Sequence, residues 1–174
     1  RPGTEPRDAA RRAGQTGAMR ILLKFVIDCD PDAAWRALHS PRAVAELYGP
    51  LIDMQPLSPL PTSWESGQDV AVGLFAGGLL PLGSQLISVS DRAVDELHGP
   101  VRIFRDSGAP LTGPLASLDV WDHQMAVSPA GYGRTLWRER LVIEGKTAPL
   151  FWPVLWATWQ WRASRIRALA PSWA

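Results

Sequence analysis

Up to Glu144 the apolar residues come in short stretches, and after Pro149 they recur at three- and four-residue steps. The first stretch, Ile21 to Ile27, is β-rich and ends at Asp28-Cys29-Asp30-Pro31. Asp30 before Pro31, and Ser40 before Pro41, each set a capping side chain ahead of a proline suited to the first helical position. Two short helices are therefore predicted, one through Leu38 and one through about Tyr48, where Gly49-Pro50 stops it. Six strand-like runs follow: Leu51 to Leu57, Asp69 to Phe75, Leu82 to Ser90, Val101 to Asp106, Leu118 to Ser128 and Arg134 to Glu144. Gly, Pro and Ser clusters separate them, and connections so short leave no room for crossover helices, so the sheet is expected to be antiparallel and strongly curved. Beyond Pro149, Trp152, Trp156, Trp159, Ala163, Ile166 and Ala170 share a helical face, which predicts an amphipathic helix of about five turns. Arg162, Arg165 and Arg167 read as lying off that face, in the turns where the helix dipole favours cations.

Alternation along the last two strands assigns their faces. Trp121, His123, Met125 and Val127 are larger and more apolar than Asp122, Gln124 and Ala126, and Thr135, Trp137, Glu139, Leu141 and Ile143 alternate with Arg134, Arg138, Arg140 and Glu144. The first set of each strand is expected to point inward, with Glu139 the only acid on its strand's inner face. A hairpin turning through Pro129 to Gly133 sets Val127 opposite Thr135, Met125 opposite Trp137, and His123 opposite Glu139. A register slip of two residues leaves His123 and Glu139 diagonal neighbours. His123 and Glu139 are thus the candidate acid/base pair, each favouring the other's charged form, with a structural pair as the simpler reading.

Charge narrows the field of partners. Eighteen basic and 17 acidic side chains leave a formal +1, which gives no electrostatic case for nucleic acid. Cys29 is the only cysteine, so neither an internal disulfide nor a cysteine zinc site is available within one chain, and a reducing cytoplasm fits that usage. Its acidic neighbours argue against a reactive thiolate. His39, His98 and His123 have no second ligand at metal spacing, so no metal is expected, and His39 and His98 beside turn residues read as solvated. Gly77-Gly78 lacks the lysine and hydroxyl of a phosphate loop, and Gly131-Tyr132-Gly133 reads as a hairpin turn, so no nucleotide or other cofactor is expected. The richest apolar run, Leu150 to Trp161, is broken by Pro153, Thr158 and Gln160 and is too short to span a bilayer. Residues 1–18 lack apolar periodicity and are expected to be a tail, with one domain over 19–174. Lysine occurs only at 24 and 146 and asparagine not at all, while Arg, Ala, Gly and Pro abound, a bias of GC-rich bacterial coding.

The order strand, two short helices, six strands and long helix resembles the START/SRPBCC superfamily, which includes the birch-pollen allergen and polyketide cyclases. Local text is similar as well: Asp32-Ala33-Ala34-Trp35-Arg36-Ala37-Leu38, Gly113-Pro114-Leu115 leading to Trp121-Asp122-His123, and Gly133-Arg134-Thr135 leading to Glu139-Arg140. The resemblance implies an α+β helix-grip fold, with a seven-stranded curved antiparallel sheet, two short helices and a long C-terminal helix over a cavity. It implies a cavity for a small apolar molecule: a lipid, a polyketide, an aromatic or an isoprenoid. Trp121, Met125, Trp137, Leu141, Trp152, Trp156 and Trp159 are the expected lining. Three functions remain open on the sequence: a carrier or sensor, which leads; a cyclase or dehydratase using the inward pair; and a protein-binding module. A homodimer is one assembly open to it, and fold alone does not choose among these.

Overall fold

The computed structural model describes residues 17–97 and 99–173; residues 1–16 of the expected tail and His98 lie outside that range. Strand β1 (Met19–Ile27) leads into helix α1 (Pro31–Leu38) and helix α2 (Pro41–Tyr48). Both helices start as the caps dictate. The Asp30 carboxylate accepts from the Asp32 N–H at 2.8 Å and the Ser40 hydroxyl from the Ala43 N–H at 3.2 Å, with Pro31 and Pro41 opening the first turns.

Strands β2 (Ile52–Pro56), β3 (Asp69–Ala76), β4 (Leu80–Glu96), β5 (Gly99–Asp106), β6 (Ala109–Thr112), β7 (Val120–Pro129) and β8 (Thr135–Glu144) follow, and helix α3 (Ala148–Leu169) closes the fold. All pairings are antiparallel, in the order β1-β8-β7-β5-β4-β3-β2, with β6 paired on β4 beside that path.

Two corrections to the expected sheet come from β4. It runs for 17 residues where nine were expected, because its first half pairs with β3 and β6 while its second half turns away to pair with β5. The sheet also has eight strands rather than seven. Strand β6 is only four residues long and lies between Gly108 and Gly113 with Pro110 inside it, so it reads as a turn; an edge strand tolerates that proline.

Helix α3 is 22 residues long, close to six turns, and packs across the concave face. Its buried residues are Ala148, Leu155, Trp159, Arg162, Ala163 and Ile166, so the buried face is turned roughly 40° from the tryptophan stripe, at about 100° per residue. That rotation overturns two expectations. Trp156 is 46% exposed, and Arg162 is fully buried rather than solvated. No helix among the described residues is long and apolar enough to cross a membrane.

Candidate functional site

The inner faces of β7 and β8 carry the alternation that the sequence predicts: Trp121, His123, Met125 and Val127, and Thr135, Trp137, Glu139, Leu141 and Ile143, are all buried. Their register is two residues off the expected one. His123 stands opposite Leu141, Met125 opposite Glu139, and Val127 opposite Trp137. The cause is the hairpin turn. The Ala130 N–H donates to the Arg134 carbonyl, and Gly131, Tyr132 and Gly133 all adopt positive φ, so the loop is one residue further along than a turn ending at Gly133.

His123 and Glu139 nevertheless meet as diagonal neighbours, Nε2 to Oε2 at 3.4 Å. They belong to a larger buried network. Glu139 Oε1 accepts from the Trp137 indole N–H at 3.1 Å and from Arg162 Nη2 at 2.9 Å. Burial pushes the Glu139 carboxyl up, but the Arg162 guanidinium and then His123 outweigh it and hold it at about 2. Glu139 in turn keeps Arg162 charged against its own burial. The Tyr48 ring covers the guanidinium at 4.2 Å, and burial, only partly opposed by Arg162, pushes the Tyr48 hydroxyl up to about 12. Glu139 is therefore held as a carboxylate by its buried partners.

A second buried carboxylate lies beside His123. Asp106, at the end of β5, is 8% exposed and lies directly across the strands from His123. Its Oδ1 accepts from the backbone N–H groups of Ser88 and Gly108, both at 3.0 Å. Burial nevertheless raises its pKa, since those two bonds, the charge of His123 and the Trp121 indole N–H only partly offset the loss of water. Because the folded chain holds this proton more tightly than the unfolded one, ionising Asp106 costs stability as pH rises through its folded pKa. Asp106→Asn keeps an oxygen acceptor for both N–H groups and removes that cost. The variant should therefore melt at a higher temperature than the parent, with a larger difference at pH 8 than at pH 4. A difference that is flat with pH in paired thermal melts would reject the assignment.

Asp106 and His123 border a cavity between the sheet and α3, with about 80 Å³ open to the centre of a water-sized sphere. Of the expected lining, Trp121, Met125 and Trp159 border it. Trp137, Leu141, Trp152 and Trp156 do not. Trp137 is fully buried against Trp173, ring centres 6.0 Å apart, and Leu141 packs in the core at the start of α3. Trp152 stacks on Trp156 at 6.5 Å and donates its indole N–H to the Arg20 carbonyl at the edge strand β1, so both sit over the sheet edge. The sequence reading missed Asp106, Arg162, Tyr48, Trp64 and Phe104. Two signals were there. Phe104 and Asp106 alternate on β5, and Arg162 follows Trp159 by three residues and precedes Ile166 by four.

His39 is another correction. Rather than facing water it is half-buried, edge-on to Phe104, with Nδ1 at 2.9 Å from the Trp35 carbonyl and Nε2 at 2.9 Å from Asp91. It ties α1 to β4, which is why it sits beside a cap. Cys29 is buried, and its thiol is pushed up by that burial and then by Asp30 and Asp28. No cluster of three metal-ligating side chains occurs among the described residues.

No family model matches the chain, and no curated protein does. Solved structures do. Norcoclaurine synthase from Thalictrum flavum superposes with a TM-score of 0.60 at 12% identity, over 98% of this chain and 94% of that one. A protein from Arthrobacter aurescens superposes at 0.61 and 15% identity, over 89% and 86% of the two chains. Ara h 8.0201 does so at 0.54 and 15%, over 90% and 99%. At these identities the likeness is one of fold: the chain has the helix-grip fold that these structures share.

Proposed function

We propose that the chain binds a small, compact, mostly apolar molecule in the cavity under α3. The observation that carries this reading is the composition of the walls. Trp121, Trp159, Trp64, Phe104 and Met125 are apolar and nearly fully buried, and a few polar groups, Gln85, Asp106, His123 and Arg162 among them, interrupt that lining. By volume the space holds on the order of half a dozen waters, which suits a one- or two-ring molecule better than an extended acyl chain.

Three tryptophans border the cavity, so a bound ligand is expected to shift or quench their emission. Titration with a panel of aromatic, isoprenoid and fatty molecules should give saturable changes, with matching adducts in native mass spectrometry. Emission that no compound alters, together with a bare mass, would overturn the reading. Proton transfer on a bound ketone is a second reading, favoured by the direct opposition of Asp106 and His123. It requires turnover of a poly-ketone that fails in His123→Phe while emission-detected binding persists.

A further inference from the structure

We propose that the ligand carries an uncharged carbonyl oxygen and that Arg162 is the side chain that receives it. This rests on reading the cavity as a binding site, and it names the polar group of the molecule bound there. The site has a surplus of donors. Arg162 is fully buried and borders the cavity, and its Nε and Nη1 have no hydrogen-bond partner among the described residues. The indole nitrogen of Trp159, three residues earlier on α3 and also on the cavity wall, is likewise buried without a partner among them. A buried N–H that lacks an acceptor is unfavourable, the more so on a charged group, and a ligand that brings an acceptor relieves that cost.

The acceptors nearby are already supplied. Asp106 Oδ1 takes the Ser88 and Gly108 N–H groups, and the Trp121 indole N–H is placed against the same carboxyl. Glu139 takes Arg162 Nη2 and the Trp137 indole N–H, and lies 3.4 Å from His123 Nε2. A ligand hydroxyl or ammonium would add hydrogens where donors are already in excess, whereas a carbonyl brings two lone pairs and no hydrogen. Charge favours a neutral oxygen over a carboxylate. The guanidinium is matched by Glu139 at 2.9 Å, so a ligand carboxylate would be a third acid beside Glu139 and Asp106. With Nη2 held by Glu139 and the Tyr48 ring over the guanidinium at 4.2 Å, the group is fixed before a ligand arrives.

Acetophenone, isopropylbenzene and benzoate share a skeleton and a heavy-atom count and differ in the oxygen they bring: one carbonyl, none, and a carboxylate. Each is titrated calorimetrically at pH 7.5 into the full chain and into the double variant Arg162→Met with Glu139→Gln, which removes the guanidinium without stranding the acid. Acetophenone is expected to lose about tenfold or more in affinity in the double variant, while isopropylbenzene changes by less than about threefold. Benzoate should bind the parent more weakly than acetophenone. The infrared stretch of carbonyl-labelled acetophenone needs no variant: bound to the parent it should lie well below its position in cyclohexane, and in the double variant it should return toward that position. A bound carbonyl that absorbs as it does in cyclohexane, an acetophenone loss no larger than that of isopropylbenzene, or benzoate binding as tightly as acetophenone would overturn the carbonyl assignment, while binding of isopropylbenzene leaves the cavity reading in place. Absence of binding by all three, with unchanged tryptophan emission, would overturn both.

Discussion

Methionine in place of Arg162 is expected to cost about 3–5 kcal/mol of folding free energy, a large share of the roughly 5–15 kcal/mol that holds a domain of this kind together. The loss is not that of packing, since methionine keeps much of the stem. It comes from Glu139, 2% exposed, which is left with His123 and the Trp137 indole as its only partners in the network. Glu139→Gln should be damaging for the converse reason, because it strands a fully buried guanidinium. The double variant removes both charges and is expected to recover most of the loss, to within about 1–2 kcal/mol of the parent. Urea unfolding followed by circular dichroism measures all four corners of this cycle. Additive losses in the double variant would show that the two side chains do not act as a pair. The same network sets the acid limit of the fold. Because Glu139 is held at about 2 against an ordinary 4.5, its contribution is complete above pH 4.5 and is lost as pH falls toward 2. In Arg162→Met the main force depressing that pKa is gone, so the acid midpoint should move upward.

The consequences for function differ between the two carboxylates, and that difference marks what the sequence could show. Alternation made the inner faces of β7 and β8 legible, so His123 and Glu139 could be brought together even with the register wrong by two, since diagonal neighbours on one face still touch. Capping chemistry made α1 and α2 legible, because it depends only on adjacent residues. Contacts between distant elements were not legible in the same way. Nothing near Arg162 in the chain announces that the acid it neutralises lies 23 residues earlier, and a guanidinium at the edge of a tryptophan stripe looks like a solvated one. Asp106 was hidden for another reason. It closes a strand just before Ser107-Gly108, where an acid is the ordinary start of a turn, and its second role appears only once β7 is paired beside β5. The tryptophan stripe misled in the other direction. Hydrophobicity placed Trp152 and Trp156 inside, whereas the actual buried face follows Leu155, Arg162 and Ile166.

Gly108→Ala is expected to be a strongly damaging single-methyl change, at about 3 kcal/mol, and to loosen Asp106 as it does so. A methyl at this position would overlap the Leu86 carbonyl oxygen, with the carbonyl carbon 2.7 Å away and Asp106 Oδ1 at 3.1 Å. The obstruction is backbone, so no rotamer change relieves it. Leu86 is also held in the centre of the sheet, paired with Ala71 on one side and Ala109 on the other. The strands must therefore move apart, and the Gly108 N–H that fixes Oδ1 moves with them. With the clamp opened, the carboxylate can rotate and is no longer presented to the cavity in one orientation. Alanine at Gly67 is the comparison. That glycine has φ of +90° but no atom within 4 Å of the added methyl, so only the strain of the left-handed conformation is incurred, about 1–2 kcal/mol. Urea unfolding should thus rank Gly108→Ala below Gly67→Ala. The emission change that a cavity ligand produces should be weakened in the folded fraction of Gly108→Ala and intact in Gly67→Ala. A Gly108→Ala protein as stable as its parent would refute the close approach of β4 that positions Asp106, and an unaltered ligand response would show that the carboxylate needs no clamp.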